Sequence, residues 1–198
     1  MISCFHNKSF PTSLLLVALL ILSGCNQRAN IYFEKRLKLP GLATYDQKAK
    51  LAGYVVPTKN QLEWQQMELI AFAYFGINTF TGNEWGAGDD SPELFNPTDF
   101  DAEQWVVTLK NAGFKMIILT AKHHDGFCLW PTSTTDYSVV SSPWHNGNGD
   151  VVREVKNACD KHNMKFGVYL SPLDHNAESY GNSVAYNELY AKQLAELL

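Results

Sequence analysis

The run Ile117-Ile118-Leu119-Thr120-Ala121-Lys122-His123-His124-Asp125-Gly126-Phe127 constrains this chain more than any other. A continuous apolar segment turns abruptly into two imidazoles, a carboxylate and a glycine, as a buried parallel strand does when it ends in a ligand-binding loop. Packing gives little reason to place adjacent histidines and an aspartate at the carboxyl end of a strand. Binding a polyhydroxylated ligand or a metal gives a good one.

The pattern around that run repeats as strand, loop and helix. Leu69 to Phe80 is apolar and aromatic-rich, broken by Gly76, and reads as a first strand whose outgoing loop carries Thr81 to Asp90. Asp101 opens a helix as N-cap, with Gln104 three residues on, Trp105, Val106, Leu109 and Ala112 on one face, and Gly113 as the stop. Met116 to Ala121 is the second strand. Asp150 is a second N-cap ahead of Val151, Val155, Ala158 and Cys159 at helical spacing, and Lys165 to Ser171 is the third strand. A third helix from about Ser183 to the end turns Val184, Tyr190, Leu194 and Leu197 inward.

Each polar cluster therefore falls in a strand-to-helix loop, the layout of an α/β domain whose site lies at the carboxyl ends of its strands. No glycine-rich dinucleotide turn follows a strand and no phosphate-cradling lysine motif occurs, so no cofactor is expected and a barrel is favoured over a doubly wound sheet. Eight units need about 250 residues. The expected fold class is α/β: the N-terminal portion, about three βα units, of a truncated (β/α)8 TIM-like barrel.

A net charge of −4, with no basic run longer than Lys35-Arg36, argues against a nucleic-acid partner. Lys8 precedes the apolar run Leu14 to Leu22, which is too short for a bilayer span and has the length of a signal-peptide core. It ends in Leu22-Ser23-Gly24-Cys25, which resembles the lipobox of bacterial lipoproteins, so Cys25 is expected to carry lipid and tether an extracytoplasmic protein to the membrane. An ordinary secretory cut is the alternative. The expected organisation is a signal segment over 1–25, a tether and irregular lead-in over 26–60, and a partial catalytic barrel over 61–198. Cys128 and Cys159 then remain in the domain and read as small buried hydrophobes rather than a bridge.

Three loops carry candidate chemistry. Asn83-Glu84-Trp85-Gly86 sets a carboxylate beside an indole, suited to gripping a sugar hydroxyl while the ring covers an apolar sugar face; a solvated glutamate and a core tryptophan remain the alternative. His123-His124-Asp125 lacks the i, i+4 spacing of a helical zinc pair and has no third ligand at diagnostic spacing, so hydrogen bonding to ligand hydroxyls is preferred over a metal. Asp174, after the third strand, could pair with Glu84 as acid and base of a hydrolase, or serve as a turn residue bonding its own backbone.

Taken together, Glu63-Trp64-Gln65-Gln66-Met67-Glu68, Tyr74 to Phe80, Glu84-Trp85-Gly86, Phe95-Asn96-Pro97, Asp101 to Trp105, Ala121 to Trp130, Ser142-Pro143-Trp144 and Gly167 to Asp174 resemble the N-terminal part of the α-L-fucosidases of glycoside hydrolase family 29. The branch most resembled acts on α-1,3/α-1,4-linked fucose. The resemblance runs from about Gln61 to Leu198.

It implies a fucosylated glycan as partner, with Glu84, Trp85, His123, His124, Trp130 and Tyr169 as sugar-contact residues, and Tyr74 where the family usually has histidine. Leu173 and His175 depart from a common tryptophan and arginine. The Glu84–Asp174 acid/base pair is thereby demoted. The family is retaining, with an aspartate nucleophile at the end of strand four and a later glutamate as acid/base. No catalytic residue is expected within these 198 residues, and the chain is expected to be the front of a longer fucosidase. The competing expectation is a non-catalytic surface lipoprotein that binds fucose.

Overall fold

The computed structural model of the protein describes residues 36–198. The expected signal segment and Cys25 lie outside the described residues. The chain separates into two compact units, one ending at Gln66 and one beginning at Met67.

In the first unit, the lead-in expected to be irregular as far as Asn60 is instead partly helical. Helix α1 spans Tyr45–Ala52 and α2 spans Lys59–Gln66. Local capping explains both. Thr44 Oγ1 accepts from Gln47 N while Gln47 Oε1 accepts from Thr44 N, and Thr58 with Gln61 repeats that reciprocal box. Neither helix buries a residue, so their polar, lysine-rich sequence hid a structure set by end-capping rather than by an apolar stripe.

The second unit holds a three-stranded parallel sheet in the order β1-β2-β3, made of Ile70–Ala73, Met116–Lys122 and Lys165–Leu170. The first strand is shorter than its apolar run predicts. After Ala73 the backbone leaves the sheet, Gly76 N donates to Thr79 Oγ1, and Asn78–Thr81 forms the single helical turn α3, stopped by Gly82 at φ 73°.

Helices α4 (Ala102–Asn111) and α5 (Val151–Lys161) begin at the expected caps: Asp101 accepts from Gln104 N at 2.9 Å and Asp150 from Arg153 N at 2.8 Å. They cover one sheet face, where Val106, Ile117, Leu119, Val151 and Val155 have no solvent exposure. Ala112, expected inward on α4, is exposed, and Ala102 is buried in its place. Cys128 and Cys159 are buried free thiols.

The largest correction concerns α6, Ser183–Leu197. The predicted inward set included Val184 and Leu194, yet these are exposed, while Tyr186 and Gln193 are buried. The helix turns a polar stripe inward because what it meets is a polar cluster around Lys122. Tyr190 and Leu197 do pack, as expected, against Ala121, Cys128, Trp130 and Leu170.

Glu196 fastens the end of α6 to the loop after β2. Its carboxylate accepts from Trp130 Nε1, Thr132 Oγ1, Ser133 N and Ser133 Oγ at 2.6 to 2.9 Å. Burial pushes this carboxyl up, but the bonds from Ser133, Thr132 and Trp130 outweigh it and hold the group down at about 2, from an ordinary 4.5. A depressed carboxyl stabilises the fold above its ordinary value and loses that contribution as pH falls through its folded value. Between pH 4.5 and about 2 the urea midpoint of the wild type is therefore expected to fall more steeply than that of Glu196→Gln. Parallel pH profiles for the two would show that the latch contributes nothing.

Candidate functional site

The uncovered face of the sheet and the loops at its carboxyl edge enclose a cavity of about 330 Å³, lined by Phe72, Tyr74, Asn83, Glu84, Trp85, Thr120, His123 and Tyr169. That volume is at the small end of the ~300–1,000 Å³ of small-molecule sites. Strand register places its floor: Phe72 pairs with Ile118, and Thr120 with Tyr169. The Phe72 and Tyr169 rings meet edge to face at 5.6 Å.

The aromatic wall is continuous. Tyr74 stands edge-on to His123 at 4.9 Å, His123 overlaps His124 at 4.2 Å, and His124 meets Trp85 at 4.8 Å. Trp85 remains 60% exposed and Phe72 61%, so two large apolar faces stay in water beside a carboxylate and two imidazoles.

A buried set of polar groups holds this wall. Asp125 accepts from Phe127 N at 2.7 Å and from Asn78 Nδ2 at 3.1 Å. Gly86 lies against Asn78, close enough that a Cβ there would run into the amide oxygen, so only glycine lets the Glu84-Trp85 loop close on this network. Burial pushes the Asp125 carboxyl up.

The two histidines differ. His124 Nδ1 lies 2.7 Å from Ser171 Oγ, whose own hydroxyl donates to Leu173 O at 2.8 Å. That commitment assigns the proton of the pair to His124 Nδ1 and leaves Nε2 as an acceptor. His123 Nδ1 is buried without a hydrogen-bond partner, 3.8 Å from Asp125 Oδ2. Burial, then the neighbouring His124, lowers the His123 pKa, with Asp125 and Glu84 opposing. A neutral ring offers one donor and one acceptor, which suits a hydroxyl. Burial, reinforced by Asp125, pushes the Tyr74 phenol up to about 12, so it stays a neutral donor.

The structure thus brings Tyr74, Glu84, Trp85, His123 and Tyr169 around one cavity, with His124 bracing Trp85 and His123. Trp130 stands apart. The segment after the histidines doubles back on β2, Leu129 N donating to Ala121 O, which turns Trp130 toward α6, where it is 5% exposed and donates to Glu196. Its expected place in the aromatic wall is corrected to a packing role. Asp174 is likewise absent from the cavity lining; its carboxylate pairs with Lys122 at 2.6 Å and accepts from Asn176 N and Ala177 N.

Sequence reasoning missed Phe72, Asn83 and Thr120 in the lining, although the even spacing of Ile118 and Thr120 on β2 was a usable signal. Among the described residues no group of three or more His, Cys, Asp or Glu side chains gathers as a metal site.

The polar groups and exposed rings thus line one cleft at the carboxyl edge of a parallel sheet, where α/β domains place small-molecule sites. The Alpha-L-fucosidase family profile matches residues 52–198. The chain belongs to the α-L-fucosidase family. It is 52% identical over 143 residues to Alpha-L-fucosidase 1 of Arabidopsis thaliana, covering 72% of this chain and 28% of that protein. A candidate α-L-fucosidase from Bacteroides ovatus superposes with a TM-score of 0.80 at 63% identity, over 84% of this chain and 28% of the other. A glycoside hydrolase 29 fucosidase from Ruminococcus gnavus, solved in complex with fucose, superposes with a TM-score of 0.67 at 46% identity, over 73% of this chain and 32% of that one. The chain therefore spans about a third or less of the length of these relatives.

The electrostatics give a direct check. In histidine-resolved NMR titration, His123 is expected to titrate below 6.5, to move upward in His124→Gln, which removes a like charge, and to move further down in Asp125→Asn, which removes the opposing one. A midpoint unmoved in both variants would contradict the assigned causes.

Proposed function

We propose that this chain forms the fucose-holding part of a retaining α-L-fucosidase that removes terminal α-L-fucose from oligosaccharides or glycoconjugates, built on a (β/α)8 barrel of which three units are described here. The observation that carries the reading is the cavity in which Glu84, His123, Tyr74 and the exposed Trp85 ring converge at the carboxyl edge of the sheet. Membership of the family supports it, as does the fucose-bound relative.

In this reading Glu84 accepts from sugar hydroxyls, His123 and His124 Nε2 exchange hydrogen bonds with others, and Trp85 covers the C–H and methyl face. Apolar coverage of the methyl favours a deoxy sugar over its hydroxylated counterpart by on the order of a hundredfold at most.

Glu84 is the one carboxylate among the residues lining the cavity. Retaining chemistry needs two, about 5–5.5 Å apart. The nucleophile and the acid/base are accordingly assigned to further β/α units of a longer protein. The 198 residues alone then bind without cleaving, as the non-catalytic alternative also requires. Attachment to the outer surface of a membrane through lipidated Cys25 completes the proposal.

Calorimetric titration of the purified chain with L-fucose is the primary test, and loss of saturable binding in the wild type would reject the reading. His123→Ala and Glu84→Ala each leave sugar hydroxyls without partners, at ~1–3 kcal/mol per lost bond, so affinity is expected to fall about tenfold or more. An aryl α-L-fucoside should not turn over with the 198-residue chain. Turnover that disappears in Glu84→Gln would move Glu84 from binding to catalysis. For the anchor, Cys25→Ala is expected to shift the protein from the membrane to the soluble extracytoplasmic fraction. A wild type already soluble there would remove the lipid assignment.

A further inference from the structure

Lys122 has no solvent exposure. Its ammonium lies 2.6 Å from Asp174 Oδ2, 2.8 Å from Gln193 Oε1 and 3.3 Å from Tyr186 OH, with the Tyr186 and Tyr190 rings at 5.6 and 5.8 Å. A buried ion pair adds little stability over apolar residues of similar shape, because both charges lose their water. Its position in the chain shows what else it does.

Lys122 immediately precedes His123, and the β2–β3 register slips just before it: Thr120 faces Tyr169, while Lys122, two residues on, faces Leu170 one residue on. Ala121 is thus the extra residue of a bulge. In unbroken alternation Lys122 would share a face with Thr120, which lines the cavity. The bulge turns it toward α6 and returns His123 to the cavity side, the re-aiming that bulges perform beside functional sites. Asp174 supplies the other half. Its Oδ1 accepts from Asn176 N and Ala177 N, fixing the turn after β3. That same segment reaches back to His124, through Ser171 Oγ at Nδ1 and through His175 N, which donates to His124 O. Gly126 has φ +93°, and a Cβ there would collide with the Asp174 carboxylate, so the histidine loop is packed directly on the pair.

We propose that Lys122 and Asp174 are a positioning pair: their ion pair holds the bulge at Ala121 and the turn after β3 in one arrangement, and so aims His123 and His124 at the sugar without either residue touching it. The affinity readout rests on the fucose-binding reading; the spectroscopic readout does not.

The test compares the full chain with three variants. Lys122→Met leaves a buried carboxylate unpaired and is the one most exposed to misfolding. Lys122→Met with Asp174→Asn removes both charges while keeping the turn acceptor. Asp174→Glu keeps both charges but displaces the carboxylate. In every variant that retains a cooperative melt, the ¹⁵N signals of His123 and His124 are expected to shift from their wild-type values toward tautomer averaging, with affinity for L-fucose falling at least about tenfold, as a misaimed site requires. Wild-type ¹⁵N signals for both histidines in a folded double variant or in folded Asp174→Glu would overturn the proposal. Shifted histidine signals together with a wild type that does not bind fucose would leave the pair as a positioning device and reject the ligand instead.

Discussion

An ammonium group without water must be matched on every side, and the end of β2 is built around that demand. Asp174, Gln193 and Tyr186 come from the loop after β3 and from α6, and they meet at Lys122 Nζ. The third strand, the last helix and the histidine loop are thus tied at one point, within a single residue of the cavity. A hydrophobic cluster of the same size would tolerate sliding, because apolar contact is not directional. Hydrogen bonds of 2.6 to 3.3 Å to one nitrogen tolerate much less.

That cluster also explains which parts of the structure were legible in the sequence. The caps at Asp101 and Asp150, the second and third strands and the valines of α5 followed from local rules, since each is decided by residues within one turn or one strand. The inward face of α6 did not. Its buried face was sought at Val184 and Leu194 as well as Tyr190 and Leu197, but part of the surface it meets is polar, so the buried residues are Tyr186 and Gln193. Periodicity of apolar residues detects a helix that faces an apolar partner. It is blind to one that faces an ion pair contributed by residues 122 and 174.

The site divides in the same way. Glu84, Trp85 and the two histidines stood out because clustered polar and aromatic residues at strand ends have little packing rationale. Tyr74 and Tyr169 entered through resemblance, and the cavity includes both. Trp130 shares the loop with the histidines, but the antiparallel return of Cys128 onto Lys122 reverses which way the next side chains point. Proximity in sequence misled there because the return of the chain onto β2 is set by pairing with residues 121 and 122, which the spacing within the loop does not record. Asp174 proved to be both a turn acceptor and a charge partner, and its second role depends on a lysine 52 residues away.

The exposed rings complete the physical picture of the site. Phe72 and Trp85 each keep more than half of their surface in water, which forgoes the ~25 cal/mol per Å² that burial would return. Their ring partners are Tyr169 for Phe72 and His124 for Trp85. Among the polar groups, His123 Nδ1 and Asn78 Oδ1 are buried without hydrogen-bond partners in the protein, while Asn78 Nδ2 donates to Asp125. Phe72 on β1 and Trp85 on the loop after α3 thus meet, at one edge of the sheet, the imidazoles of the loop that follows Lys122.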